Sequence, residues 1–264
     1  MRLDRCVFAL RPRTAVESLD LACRVLAGPA RRTYATLAAI VLLPAYAACL
    51  GLRYGAGVGW PWVWVVAIAL ATVAQGTFTV AVGRLAFTDD VTASVVLRTA
   101  AKRYPSFVTA LVARLVVLAA TSLSLFIMTI PALSMLLFVP EASLLEGAGP
   151  VAALRRAGLG RSVGAEMWRV VLLAFVQGSI VLSADWLGDG VVDGVLQLGS
   201  PFGTLLGDGG SAYALLGLFA SAPYVATARF LLYIDERTRL DAWDVQVRMM
   251  AVGAGASRPV TEAG

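Results

Sequence analysis

The stretch Val170 to Ala228 reads VVLLAFVQGSIVLSADWLGDGVVDGVLQLGSPFGTLLGDGGSAYALLGLFASAPYVATA and contains no Lys or Arg. Asp185, Asp189, Asp193 and Asp208 lie in its middle, between two apolar runs. Cations return on both flanks: Arg155, Arg156, Arg161 and Arg169 before it, and Arg229, Arg237, Arg239, Arg248 and Arg258 after it. An apolar run, an acidic loop and a second apolar run between two basic segments describe a helical hairpin through a membrane. The loop of such a hairpin lies on the cation-poor side.

The rest of the chain carries the same contrast. Mean hydropathy is +0.78, and 59% of the 264 residues are hydrophobic while 15% are charged. A soluble globule needs roughly 25% charged residues to cover its surface, so a soluble domain is excluded. Six stretches are apolar enough to cross, or nearly cross, a hydrocarbon core that takes about 20 helical residues. They are residues 33–53, 61–84, 106–128, 131–146, 167–186 and 211–234. Barrel strands would alternate with a period of two, whereas these runs are continuously apolar, so they read as helices. The predicted fold is all-α, an integral membrane bundle of six transmembrane helices forming a single membrane domain over residues 1–264. Residues 1–32 form a cytoplasmic amphipathic segment, 33–234 the bundle, 235–252 a C-terminal amphipathic helix and 253–264 a disordered tail.

Charge sets the topology. Arg2, Arg5, Arg11, Arg13, Arg24, Arg31 and Arg32 precede the first span, and Arg84, Arg98, Lys102 and Arg103 lie between the second and third. Both segments are cytoplasmic by the positive-inside rule, and so is the segment from Arg155 to Arg169. An even number of crossings must therefore separate Arg103 from Arg155. That demands a hairpin within residues 106–146, with Pro131 starting its second arm. The arm has about 16 residues, or about 24 Å, so thinning of the bilayer or incomplete spanning is expected. Both termini are then cytoplasmic, and the protein is expected in the cytoplasmic (inner) membrane. A single lysine among 22 cations, with abundant Ala and Gly, points to a GC-rich bacterial genome. Residues 7–10 are too short an apolar run for a signal-peptide core, so no cleavable leader is expected.

Three cytoplasmic junctions share a pattern: FTDDVTASVVLRTAAKRY, LLEGAGPVAALRRAGLGR and YIDERTRLDAWDVQVRMM. Aligning Asp89, Glu146 and Asp235 places Arg98 over Arg155. The alignment suggests a three-fold repeat of hairpins, each led by an amphipathic helix lying in the cytoplasmic interface. Any multi-span protein that alternates apolar spans with basic loops would give a weaker version of it. The N-terminal RPRTAVESLDLACRVLAGPARR has the same character, with Glu17, Asp20 and Arg24 forming one polar stripe.

The segments LRPRTAVESLDLACRV, LLEGAGPVAALRRAGLGRSVGAEMWRV and RFLLYIDERTRLDAWDVQVRM resemble a group of bacterial six-span proteins. That group is typified by the membrane domain fused to some glycerophosphoryl diester phosphodiesterases. The resemblance implies a helical membrane domain in a lipid or envelope context. It does not imply phosphodiesterase chemistry, because that catalytic domain is missing and the chain contains no His.

The absence of His also excludes His-dependent catalysis and His-ligated metals. Cys6, Cys23 and Cys49 lack CxxC spacing, and no P-loop or nucleophile elbow is present. No catalytic activity, metal or cofactor is expected, and the scattered flanking cations do not form a nucleic-acid surface. Arg114 lies deep inside a predicted span. A central Arg costs about 2.5–3.5 kcal/mol on insertion scales, so a partner is expected, either Glu141 or Glu146 across the hairpin. Arg31, Arg32, Arg98, Arg155, Arg156, Arg161, Arg237 and Arg239 are candidate contacts for anionic lipid headgroups. EASLLEG (Glu141 to Gly147) matches only half of the signature by which importer permeases dock an ATPase, and GLGRSVG (Gly158 to Gly164) reads as a flexible break before the fifth span or, with its backbone N–H groups and Arg161 near a helix start, as a lipid-phosphate nest.

Two functions fit. One is a non-enzymatic role in membrane organisation, lipid or envelope handling, or assembly with membrane proteins or a cytoplasmic partner. The other is a transporter or permease subunit for a small solute or lipid. A scaffold should pack Gln75, Arg114 and Gln177 against each other, whereas a transporter should leave a polar cavity around them. The topology carries its own test: reporter fusions after Asp208 are expected to behave as external and fusions after Arg248 as cytoplasmic, and the reverse pattern would overturn it.

Overall fold

The computed structural model describes residues 13–86, 88, 91–123, 129–147, 149–158 and 163–241. Among these, all regular structure is helical. Five helices are long and apolar enough to cross a membrane: Arg31–Gly55, Trp60–Leu85, Ala93–Ser122, Glu166–Val195 and Ala212–Arg239. The chain is a multi-pass membrane protein.

Helix α1 (Ala15–Ala27) opens on a capping box, in which the Glu17 amide donates to Thr14 Oγ1 at 3.2 Å and the Thr14 amide to Glu17 Oε2 at 3.0 Å. The predicted polar stripe is present, with Arg24 paired to Asp20 at 2.8 Å on the exposed side. The buried face, Ser18, Leu19, Ala22 and Val25, packs on the last helix of the bundle. Val16 and Cys23 stay exposed.

The first span joins α2 (Arg31–Leu37) to α3 (Leu43–Leu50) through a π turn at Ala38–Leu42. Pro44 has no N–H to continue the ladder, and just before it the register widens so that the Leu43 amide donates to the Ala38 carbonyl. Helices α4 (Trp60–Leu85) and α11 (Ala212–Asp241) form the centre. In their apolar windows 61% and 72% of residues are buried, against 6% for the helix at Glu166–Val195, which lies at the periphery. The indole of Trp64 donates to the Gly209 carbonyl at 3.0 Å, and Gly83 faces Phe230, so α4 and α11 run parallel.

In lipid, helices gain little from hydrophobic burial and associate by close contact of small residues. Gly217 of α11 lets Ala184 and Val181 of α9 (Val163–Asp189) approach, since a Cβ there would lie 2.8 Å from the Ala184 Cβ and 2.9 Å from the Val181 Cα. Gly76 of α4 likewise admits the ring of Phe107.

Two predicted boundaries differ. The interfacial segment expected before the third span is fused to it in α5 (Ala93–Leu123), which continues through Pro105. Anchors on both sides of the proline hold the helix together: the Tyr104 hydroxyl bonds Thr77 Oγ1 and the Val73 carbonyl of α4, both at 2.8 Å, and Phe107 is buried under Gly76. The beginning of the expected C-terminal amphipathic helix is likewise continuous with α11, and residues 242–264 lie outside the described residues. Helices α1 and α8 (Pro150–Gly158), by contrast, are separate helices before a span. Much of the three repeat-like segments, Asp89 and residues 159–162 and 242–250 included, lies outside the described residues.

The predicted span 131–146 is not one helix. It is divided into α6 (Thr129–Met135) and α7 (Val139–Glu146), with a turn at residues 136–138. Pro140, in the first turn of α7, explains the break, because its ring would clash with the carbonyl four residues earlier in a continuous helix. A short helix α10 (Leu205–Asp208) precedes α11.

Gly217→Val is expected to lower the melting temperature in detergent micelles through overpacking worth about 1–3 kcal/mol. Gly178→Val, where an added Cβ meets nothing within 4 Å, is the matched control and should melt close to the parent.

Candidate functional site

Between α4, α5, α9, α11 and the broken α6–α7 arm lies a cavity of about 380 Å³ that is open on one side, where Ile68 is 55% exposed and Ala174 is exposed. Its walls are mostly aliphatic, but each long helix contributes a polar group: Thr72 and Gln75 from α4, Arg114 from α5, Gln177 from α9 and Arg229 from α11. Thr72 and Gln75 share a face because they are three residues apart on a helix.

Arg229 is 8% exposed and Glu141 1% exposed. The guanidinium Nη2 donates to Glu141 Oε2 at 3.0 Å and to the Leu137 carbonyl at 2.6 Å. That carbonyl is available because Leu137 lies in the turn between α6 and α7, where the helical ladder is interrupted. Discontinuous helices present backbone groups to buried sites in this way. Arg114 is close enough to feel the charges of both Arg229 and Glu141. Among the described residues, no hydrogen bond reaches Nε of either arginine. Gln177 is only weakly held, its Nε2 lying 3.4 Å from Ser221 Oγ.

A second buried ionic group closes one end of the α9–α11 pair. Arg169 lies 2.6 Å from Glu166, 2.5 Å from Glu236 and 3.6 Å from Asp235. Asp235 also accepts the Arg13 amide at 2.7 Å and Arg239 Nε at 3.0 Å. Arg239 Nη2 in turn donates to the Arg13 carbonyl at 2.5 Å. This clasp ties the start of α9, the end of α11 and the chain ahead of α1.

Arg114 was expected to pair with Glu141 or Glu146 across the hairpin. The structure brings Arg114 and Glu141 near each other, but the carboxylate of Glu141 is taken by Arg229, a residue the charge pattern had assigned to the membrane edge. The side chain of Glu146, the other expected partner, lies outside the described residues. Of the candidate headgroup contacts, Arg31, Arg32, Arg98 and Arg155 are exposed. Arg237 stacks over the Tyr233 ring at 5.6 Å and donates to its hydroxyl at 3.2 Å, while Arg239 belongs to the clasp. The side chain of Arg156 and all of Arg161 lie outside the described residues.

Helix α7 is buried from Val139 to Leu144, so the first four residues of EASLLEG lie inside the bundle. The acidic loop is held by its own carboxylates. Asp185 accepts the Leu205 amide at 3.1 Å and the Ser211 hydroxyl, Asp189 the Ser200 hydroxyl at 2.7 Å, and Asp208 the Thr204 amide at 2.9 Å.

Glu166 and Glu236 were not singled out from the sequence, and Arg229, Arg169 and Asp235 were read as topology charges or the head of a repeat-like segment, not as buried ionic partners. One signal was present: Arg229 is followed by Phe-Leu-Leu-Tyr-Ile before the next charge, Asp235, too long an apolar run for a residue at a membrane edge. Comparison with protein-family models, with curated proteins and with solved structures gave no match.

Glu141→Leu alone should strand the buried Arg229 charge and destabilise by about 3–5 kcal/mol. The double variant Glu141→Leu/Arg229→Met should recover most of that loss, as read by thermal unfolding in micelles. A double variant as unstable as the single one would show that the pair contributes nothing specific.

Proposed function

We propose that this protein is a bacterial inner-membrane carrier that binds a small solute or lipid in the cavity at mid-bundle and passes it between the two faces. The observation that carries the reading is the cavity itself, a polar-edged space where an assembly scaffold would be packed. Among the described residues nothing hydrogen-bonds the Gln75 amide, and Arg114 makes no ion pair. Gln75 stands about 15 Å along α4 from its Leu85 end, and Gln177 about 16 Å along α9 from Glu166. Those depths are near half of a hydrocarbon core of about 30 Å.

In this reading the cation-rich end is cytoplasmic, as are both termini. The α6–α7 arm supplies the sixth, broken crossing that the charge pattern demands, and its interruption is tolerated because it faces protein and cavity, not acyl chains. Arg31, Arg32, Arg98 and Arg155 meet the anionic headgroups of the cytoplasmic leaflet. The exposed apolar side chains of α9, such as Phe175 and Leu182, meet lipid.

Cysteine access tests the reading in proteoliposomes of the full chain with its native cysteines replaced by serine. Gln75→Cys and Gln177→Cys should react with a water-soluble maleimide supplied from either face, while Phe175→Cys should not. Protection of both cavity positions from both faces would replace the carrier with a packed scaffold.

A further inference from the structure

The charges around the cavity do not balance. Among the described side chains, its polar neighbours are Thr72, Gln75, Arg114, Glu141, Gln177, Ser221 and Arg229, which set two guanidinium groups against one carboxylate; the side chain of Glu146 lies outside them. Glu141 is engaged by Arg229, so the unmatched cation is Arg114. A cation without a counter-charge among aliphatic walls costs several kcal/mol, and a bound anion would remove that cost. The geometry of the donors agrees: Nε of Arg114 and Nε of Arg229 are both buried and both without a hydrogen-bond partner among the described residues. The two side chains come from different helices and line one space. Gln75 and Gln177 add neutral amides that can orient a ligand without changing the charge balance.

We propose that the cavity is an anion site in which Arg114 and Arg229 share a phosphate or carboxylate group, with Arg114 supplying the charge and Arg229 already balanced by Glu141. The remaining wall, Ile68, Ala71, Leu133, Leu218 and Val225, takes the apolar part of the same molecule. A volume of about 380 Å³ exceeds what a bare inorganic ion fills and falls in the range of small-molecule sites, which start near roughly 300 Å³. The occupant is therefore an anionic amphiphile. It reaches the site either from the bilayer, as an acidic phospholipid, or from water, as an aliphatic carboxylate.

This inference rests on the carrier reading for its purpose but not for its test. The full chain, purified in a neutral maltoside detergent, is titrated with dioctanoyl phosphatidylglycerol, dioctanoyl phosphatidylcholine or octanoate, and binding is read as a saturable rise in melting temperature. Phosphatidylglycerol or octanoate should bind while phosphatidylcholine does not; response to the lipid alone assigns a bilayer source, and response to octanoate alone an aqueous one. Arg114→Gln should weaken anion binding at least tenfold, Arg114→Lys should restore part of it, and Lys102→Gln on the exposed surface should change nothing.

The ligand-free melting temperature decides what Arg114 is for. An anion ligand without an internal partner predicts that Arg114→Gln melts at or above the parent, whereas a structural arginine predicts a lower value. Equal response to anionic and zwitterionic lipid, unchanged anion binding by Arg114→Gln, or a drop of several degrees in its ligand-free melting would each overturn the proposal. Anion binding in micelles without two-sided maleimide access would leave the site and remove the carrier; two-sided access without anion preference would do the reverse.

Discussion

Arg229 occupies the most buried helix of the bundle, and its charge is held there by the Glu141 carboxylate and the Leu137 carbonyl. Each of these depends on an irregularity in the chain. The carbonyl is free because Pro140 interrupts what would have been one helix, and the carboxylate faces inward because α7 restarts after that interruption. Buried ion pairs add little net stability over a well-packed apolar alternative, but losing one partner is severe. The pair therefore fixes where the broken arm sits more than how strongly the bundle holds together. Once α7 is set against α11, α5 follows, because Arg103 donates to the carbonyls of Leu144 and Leu145 at the end of α7.

The Arg169 clasp orders the other side of the molecule by the same chemistry. Glu166 and Arg169 are one helical turn apart on α9, and Asp235 and Glu236 are adjacent on α11, so both helices present charge at matching heights. Asp235 also receives the Arg13 amide, which fixes how the chain enters α1. Of the acidic residues that lead the repeat-like segments, Asp235 is the one whose side chain is described. Asp235 is a buried structural acceptor, while α8 follows its own acid as a separate surface helix.

Helical class, multi-pass character and most span limits were legible in the sequence because they follow from runs of apolar residues, a local property. Arg114 was legible for the same reason, being a lone cation deep inside a run. Its relation to Glu141 was not, since spacing along a hairpin gives height and not rotation about the helix axis. Arg229 was hidden by the positive-inside pattern, which reads any arginine near the end of a run as an edge residue. The fusion of the interfacial segment with α5 was hidden because Pro105 argues locally for a break. Tyr104 and Phe107 override it through contacts with α4 that no local pattern encodes.

The cavity persists for reasons visible in the same contacts. Helix α9 meets α11 closely where Gly217 admits Val181 and Ala184, and again at the clasp where Arg169 reaches Glu236. The cavity-lining residues of α9, Val170 to Gln177, lie between these two fixed points. In water, an apolar gap of this size would be under pressure to close, because closing it would remove apolar surface from solvent. In a bilayer that drive is absent, and closure would gain only dispersion contacts. It would also press Arg114 toward Arg229, two like charges in a medium that screens them poorly. Small side chains at Ala71 and Ala174 leave the space, and the unmatched arginine keeps it from being filled by protein. A polar-edged space beside Arg114 is then the relaxed state of this sequence in lipid.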